Sequence, residues 1–408
     1  MLTLKRRGLM VLMCIVTIFI AGQALAADTV NIAVLDISSG TMKDMGDRTF
    51  AAVQLATDQI NAAGGLLGKK VKLIIDDTQM KPDVATRKAV RAIMEDKAQF
   101  IMHCASTAIA QALMDVAQKN KVIYVNLGAE ADYLMGKNFN KYTFRACSTS
   151  ANRARAYGEF FKTKPWRKFY IICPDYAYGH AGADAFKAVI EKEIPDAKIV
   201  GEDYAPLGTK DFGPYITKIL ATGAEIIYTN NFAVDLENLI KQGAQLGVKA
   251  RYATISLDDD NVLPNIGQAA VGSFVSAIYL PTLDNPQNNA FVKSWHERFK
   301  GTKHPYPVVH AGYNYNGAMF FFEAVKKAKS FDVETIIKTW EGMEYNGVMG
   351  KNIMRACDHQ NLVSGMIAEF QAKSTLFPYP FAGTPIIIPM EKVAVPPEET
   401  GNSRCGSK

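Results

Sequence analysis

VNIAVLD (residues 30–36) is an unbroken apolar run of strand length rather than an alternating one. A strand apolar on both faces is buried on both, the state of a parallel sheet covered by helices. A Gly/Ser-containing loop follows. Beyond it Phe50, Val53, Ala56 and Ile60 recur every three or four residues, which predicts a helix with one apolar face. That helix stops at NAAGG (61–65). VKLIID (71–76) reads as a second strand, and Pro82 opens a second helix near its first turn. QFIM (99–102), a helix from Thr107 to about Asn120, and VIYVN (122–126) continue the alternation. Strand, helix, strand in this order implies parallel strands with right-handed crossovers on both faces.

A second series begins at KFYIIC (168–173), with further strands at 198–202, EIIYT (225–229) and 252–256. Helices are expected near 179–190, 213–220 and 234–246. Residues 291–340 return to helix, and the last β-like stretch runs from about Val348 to Phe370. The fold class is therefore α/β, with two Rossmann-like lobes of parallel sheet joined by several crossovers. The polar, Pro-containing tail over 391–408 reads as disordered.

The N-terminus specifies where the chain works. Lys5, Arg6 and Arg7 precede an apolar run from Leu9 to Ala21, and Ala24-Leu25-Ala26 has the small-x-small pattern of a cleavage site. This is the plan of a secretory signal peptide over 1–26. The run is shorter than the roughly 20 apolar residues of a membrane-spanning helix. Its removal leaves 382 of 408 residues and lowers the formal net charge from +6 to +3. That length suggests two domains, and so small a charge argues against nucleic acid. Five cysteines remain in an oxidising compartment: Cys104, Cys147, Cys173, Cys357 and Cys405. Cys147 and Cys357 lie in the echoing contexts FRAC (144–147) and MRAC (354–357), and a bridge between them is an expectation if their strands meet. No C-x-x-C or Cys/His cluster with zinc spacing occurs, so no metal and no cofactor are expected.

Enzyme signatures are missing: there is no G-x-S-x-G, no G-x-x-x-x-G-K-[ST] and no H-E-x-x-H. Gly64, Gly65 and Gly68 follow a helix and precede a strand, the reverse of a dinucleotide-binding turn, and read as a helix C-cap. Strand ends carry the better signal. Ser106 and Thr107 stand between a strand and a helix, where free N–H groups, the helix dipole and hydroxyls favour an anion; on this feature alone an ordinary N-cap is the simpler reading. Gly128, Ala129 and Glu130 follow the next strand and approach the same crevice.

INAAGGLLGKKVKLIIDDTQ (60–79), Ser106-Thr107, PDYAYG (174–179), PLGTKDF (206–212) and QGAQLG (242–247) occur in that order. Together they resemble the branched-chain amino acid class of periplasmic solute-binding proteins of ABC transporters, over roughly residues 30–370. The resemblance implies a non-catalytic protein, two lobes joined by three hinge strands, and capture of a small solute for a membrane permease. Signalling to a receptor instead is the alternative role. It implies lobes of 27–147 plus 278–350 and 148–277 plus 351–390, hinges near 146–148, 276–281 and 347–354, a monomer, and a periplasmic location. It places the ligand carboxylate at Ser106 and Thr107, a backbone contact at Gly128 and Ala129, and Glu130 where relatives carry a hydroxyl. Tyr178 matches the cleft tyrosine of the second lobe, and Phe232 falls near a further aromatic position. The acidic residue that meets a ligand ammonium falls in Ser256-Leu257-Asp258-Asp259-Asp260, with Ser256 or Asp258 at that position. An amino acid is the first expectation for the solute, with an aromatic acid or a small amide as alternatives.

Overall fold

The computed structural model describes residues 29–40 and 42–406; the expected signal peptide lies outside them. The apolar run that opens the chain becomes β1 (Thr29–Asp36), buried from Ile32 to Asp36 as its composition demands. The alternation then proceeds as α1 (Lys43–Ala62), β2 (Lys70–Asp77), α2 (Pro82–Met94), β3 (Ala98–His103), α3 (Thr107–Asn120), β4 (Ile123–Asn126) and β5 (Thr143–Arg145). Gly65 ends the turn after α1 at φ +86°, and a Cβ there would lie 2.2 Å from the Lys69 carbonyl oxygen, so only glycine fits. The five strands form one parallel sheet in the order β2-β1-β3-β4-β5.

The second series is α4 (Ser150–Lys162), β6 (Lys168–Pro174), α5 (Ala177–Glu193), β7 (Lys198–Ala205), α6 (Gly213–Thr222), β8 (Ile226–Thr229), α7 (Ala233–Gln245), β9 (Arg251–Thr254), the short α8 (Leu263–Ile266) and β10 (Phe274–Ala277). Its parallel core runs β10-β9-β8-β6-β7. Counted within each series, both sheets therefore have the order 2-1-3-4-5, an architectural repeat without a repeated sequence.

The chain then returns through α9 (Pro286–Phe299), α10 (Val309–Ala328) and α11 (Val333–Trp340). Their buried Phe291, Trp295, Phe320 and Trp340 belong to the core of the first sheet. β11 (Glu344–Gly347), β12 (Gly350–Met354) and β13 (Asn361–Val363) make a small antiparallel sheet, and Met354 and Val363 are buried in that same first core. β14 (Gly365–Gln371) crosses to the second sheet, pairing antiparallel with β10, β15 (Phe381–Ala382) and β16 (Ile386–Ile388). The expected division at residue 350 thus falls inside a paired hairpin, and the third passage between sheets lies between Val363 and Gly365. Ser148, Ala277 and Ser364, one from each passage, line a single small cavity, so the three crossings run side by side.

Two further expectations are corrected. Cys357 is bridged to Cys405, not to Cys147, with Cα atoms 5.1 Å apart. The FRAC and MRAC segments do meet, since Arg145 pairs with Gln360 and the Gln360 amide donates to the Cys147 carbonyl at 2.7 Å. Cys147, however, turns into the first core as a buried free thiol, while Cys357 sits in a tight loop that faces the tail. The tail, described to residue 406, is ordered. After α12 (Met390–Val393), Glu399 pairs with Arg155 at 2.6 Å, the Asn402 amide donates to the Met135 carbonyl at 2.9 Å, and Arg404 pairs with Glu341 at 2.8 Å. Among the described residues no helix is long and apolar enough to cross a membrane.

Candidate functional site

In an open α/β sheet the order 2-1-3-4-5 reverses direction beside its first strand, and the crevice outside the carboxyl ends of the strands there receives ligands. Here two such switch points face each other across a cleft of about 940 Å³. From the first sheet come the start of α1, with Met42, Asp44, Met45 and Arg48, then Cys104 and Ala105 after β3, and Gly128 and Glu130 after β4. From the second come Tyr176 and Tyr178 after β6, Phe232 after β8, and the loop from Ile255 to Asn261 after β9.

Six of the nine residues expected at the site line this cleft: Gly128, Glu130, Tyr178, Phe232, Ser256 and Asp258. Ser106, Thr107 and Ala129 do not stand on its wall. The Ser106 hydroxyl caps α3, accepting from the Ile109 N–H at 3.4 Å, and Ala105 holds the lining position beside it. The N–H and carbonyl of Ala129 are both bound by the Asn126 side chain, at 2.8 and 2.9 Å, and the Gly128 N–H donates to the same amide oxygen at 3.2 Å. Gly128 admits no side chain, because a Cβ would lie 2.3 Å from Cys104 Sγ.

Tyr178 and Phe232 meet edge to face with centroids 6.3 Å apart, and Tyr176 lies 5.8 Å from Tyr178. Tyr306, Phe377 and Tyr379 extend this aromatic lining. Asp258 is 1% exposed, and its Oδ2 has no hydrogen-bond partner. Burial pushes its pKa up to about 7 against the opposing pull of Arg153. Glu130 is likewise raised, chiefly by burial, while Arg153 and Arg145 act the other way.

Of the cleft residues not anticipated from the sequence, four bear on its polar chemistry, and two of these carry ion pairs between the lobes. Arg153, on α4, meets Glu130 at 3.2 Å while donating to the Ile255 and Ser276 carbonyls. Arg48, on α1 and 2% exposed, pairs with Asp259 at 3.0 Å and with Asp260, whose other oxygen is 2.9 Å from His304 Nδ1. His310, at the start of α10, has an Nδ1 sealed from solvent without a partner; burial first and Arg48 second lower its pKa to about 3. The fourth is Asn261, which continues the acidic loop and donates to Asp259 at 3.0 Å. Position after β1 and after β9 was the available signal for Arg48 and Asn261; nothing local marked Arg153 or His310.

The periplasmic binding protein family model matches residues 29–375. The Leu/Ile/Val-binding protein homolog 4 of Brucella melitensis is 31% identical over 373 residues, 88% of this chain and 88% of its own. The closed conformation of the leucine-, isoleucine-, valine-, threonine- and alanine-binding protein of Brucella ovis matches with a TM-score of 0.80 at 27% identity, over 91% of this chain and 97% of that one. A solute-binding protein of an ABC transporter from Rhodopseudomonas palustris, solved with 3,4-dihydroxy benzoic acid, gives a TM-score of 0.77 at 22% identity, covering 88% and 96%. At that identity it shows the shared fold.

Proposed function

The chain belongs to the periplasmic binding protein family, and from that premise we propose that it captures a small amino acid between its lobes and delivers it to the membrane permease of an ABC importer. The family binds solutes outside the cytoplasm. We further propose export through a cleaved leader over 1–26, a monomeric state and no catalysis. The lobes are assigned as 27–147 plus 278–363 and 148–277 plus 365–390, following the cores that most of their side chains enter, with Leu280, Val308 and Met366 packing across the boundary.

The observation that carries this reading is the buried, unpartnered Oδ2 of Asp258, on the cleft wall with the aromatic pair Tyr178 and Phe232. A buried carboxylate oxygen without a donor is costly unless a ligand supplies one, and an ammonium does so with charge. We place the solute's ammonium at Asp258, its side chain against Tyr178 and Phe232, and its carboxylate towards the N–H groups that open α3 at Ser106 and Thr107, across from Gly128. The names of the Brucella relatives support an amino acid. The aromatic lining favours a second reading, an aromatic acid, which the Rhodopseudomonas relative also accompanies.

Titration calorimetry of the mature chain with the amino acids and with benzoate-type acids separates the two. Heat from amino acids, with affinity about ten- to hundredfold weaker in Asp258→Asn, is expected. Binding of benzoates alone, indifferent to that substitution, would replace the first reading by the second.

A further inference from the structure

Among the described residues, four buried side-chain atoms without a hydrogen-bond partner lie on residues that line the cleft: Asp258 Oδ2, Arg48 Nε, Asn261 Oδ1 and His310 Nδ1. The first is the place given above to an ammonium. The other three come from separate parts of the chain, α1, the loop after β9 and the start of α10, yet they share one neighbourhood. Arg48 and Asn261 both donate to the same oxygen of Asp259, each at 3.0 Å. His310 feels the charges of Arg48 and Asp259.

Their chemistry is complementary. The Asn261 amide commits its Nδ2 to Asp259, which leaves Oδ1 as an acceptor. Arg48 Nε is a donor only. Burial keeps the His310 imidazole neutral, so it brings one donor and one acceptor. A branched alkyl group seated here would leave all three unsatisfied, and a site built to bond a polar group rejects the analogue that lacks it.

We infer that the solute carries, beyond its amino-acid head, a neutral group that both donates and accepts hydrogen bonds, a carboxamide or a hydroxyl, which Arg48, Asn261 and His310 receive. The cleft then selects asparagine-, glutamine- or threonine-like solutes over leucine, isoleucine and valine. This rests on the amino-acid reading of the same cleft.

The test is calorimetry of the mature chain with pairs of nearly equal shape, asparagine against leucine and threonine against valine. The polar member is expected to bind at least about tenfold more tightly. In His310→Phe and, independently, Asn261→Leu, that preference falls to within a few-fold because the polar member weakens while the aliphatic one does not; a retained melting temperature shows that each variant is folded. Equal or tighter binding of leucine and valine overturns this inference and leaves the amino-acid reading standing. A polar preference that survives both substitutions overturns the assignment to these residues. Absence of heat with every amino acid overturns the amino-acid reading itself, and this inference with it.

Discussion

Asp258 joins three properties in one side chain: burial, a free acceptor oxygen and a pKa of about 7. Its unfolded value is 3.8, so between about pH 4 and about pH 7 the unfolded chain releases a proton that the folded one keeps, and stability falls as pH rises through that window. Asp36, also near 7 through burial although Ile37, Cys104 and Thr49 bond to it, adds to the same fall. Asp258→Asn is expected to flatten part of this slope in urea unfolding, the Asp36 part remaining. For an ammonium solute the sign is opposite, because binding needs the ionised carboxylate. Affinity should rise with pH through about 7 and level off above it, and in Asp258→Asn it should be about ten- to hundredfold weaker and flat with pH. Calorimetry from about one unit below to about one unit above that pKa measures both. Glu130 was legible in the sequence because it follows a strand, where position implies the cleft, whereas Asp258, Tyr178 and Phe232 came only from the resemblance to the solute-binding class. Arg48 also lies after a strand, but its role was not legible: its partner Asp260 is 212 residues away, and that contact exists only once the two lobes meet.

Disulfide Cys357–Cys405 straps an otherwise polar tail across the lobe that holds Met135 and Glu341. Cys405→Ser should cost about 2–4 kcal/mol by releasing a long closed loop in the unfolded chain, and should free the tail for limited proteolysis; urea unfolding and peptide mapping check the two parts. Composition marked this tail as disordered because order here comes from one covalent bond and a few long-range partners, not from apolar periodicity. The same limit hid α4. In SANRARAYGEFFK its buried face includes Asn152 and Arg153, so the apolar stripe that betrays α1 is interrupted by polar residues, of which Arg153 reaches Glu130 in the other lobe. β5, at three residues, is too short to read. By contrast β1, β6 and β8 were plain, since strands buried on both faces must be continuously apolar.

At the scale of the molecule, two sheets of the same strand order face each other at their switch points, and ion pairs tie them across the cleft: Arg153 with Glu130, and Arg48 with Asp259 and Asp260. These pairs are made only while the lobes are together, so they bias an opening equilibrium rather than the fold of either lobe. Glu130→Gln and Asp260→Asn each remove one charge while keeping the shape. Each leaves an arginine less well paired only in the closed arrangement, because on opening water solvates the face of each guanidinium that met the other lobe, Arg153 keeping its bonds to the Ile255 and Ser276 carbonyls of its own lobe. A cost of about 2 kcal/mol confined to the closed state moves the equilibrium about 30-fold towards open. The solute-free double variant should therefore scatter with a larger radius of gyration than the wild-type chain and bind its solute more weakly, by no more than the shift in closed population. Saturating solute should restore the compact profile in both. An unchanged radius with unchanged affinity would show that these pairs do not hold the lobes together, and the hinge at 146–148, 277–278 and 363–365 would have to be governed by packing alone.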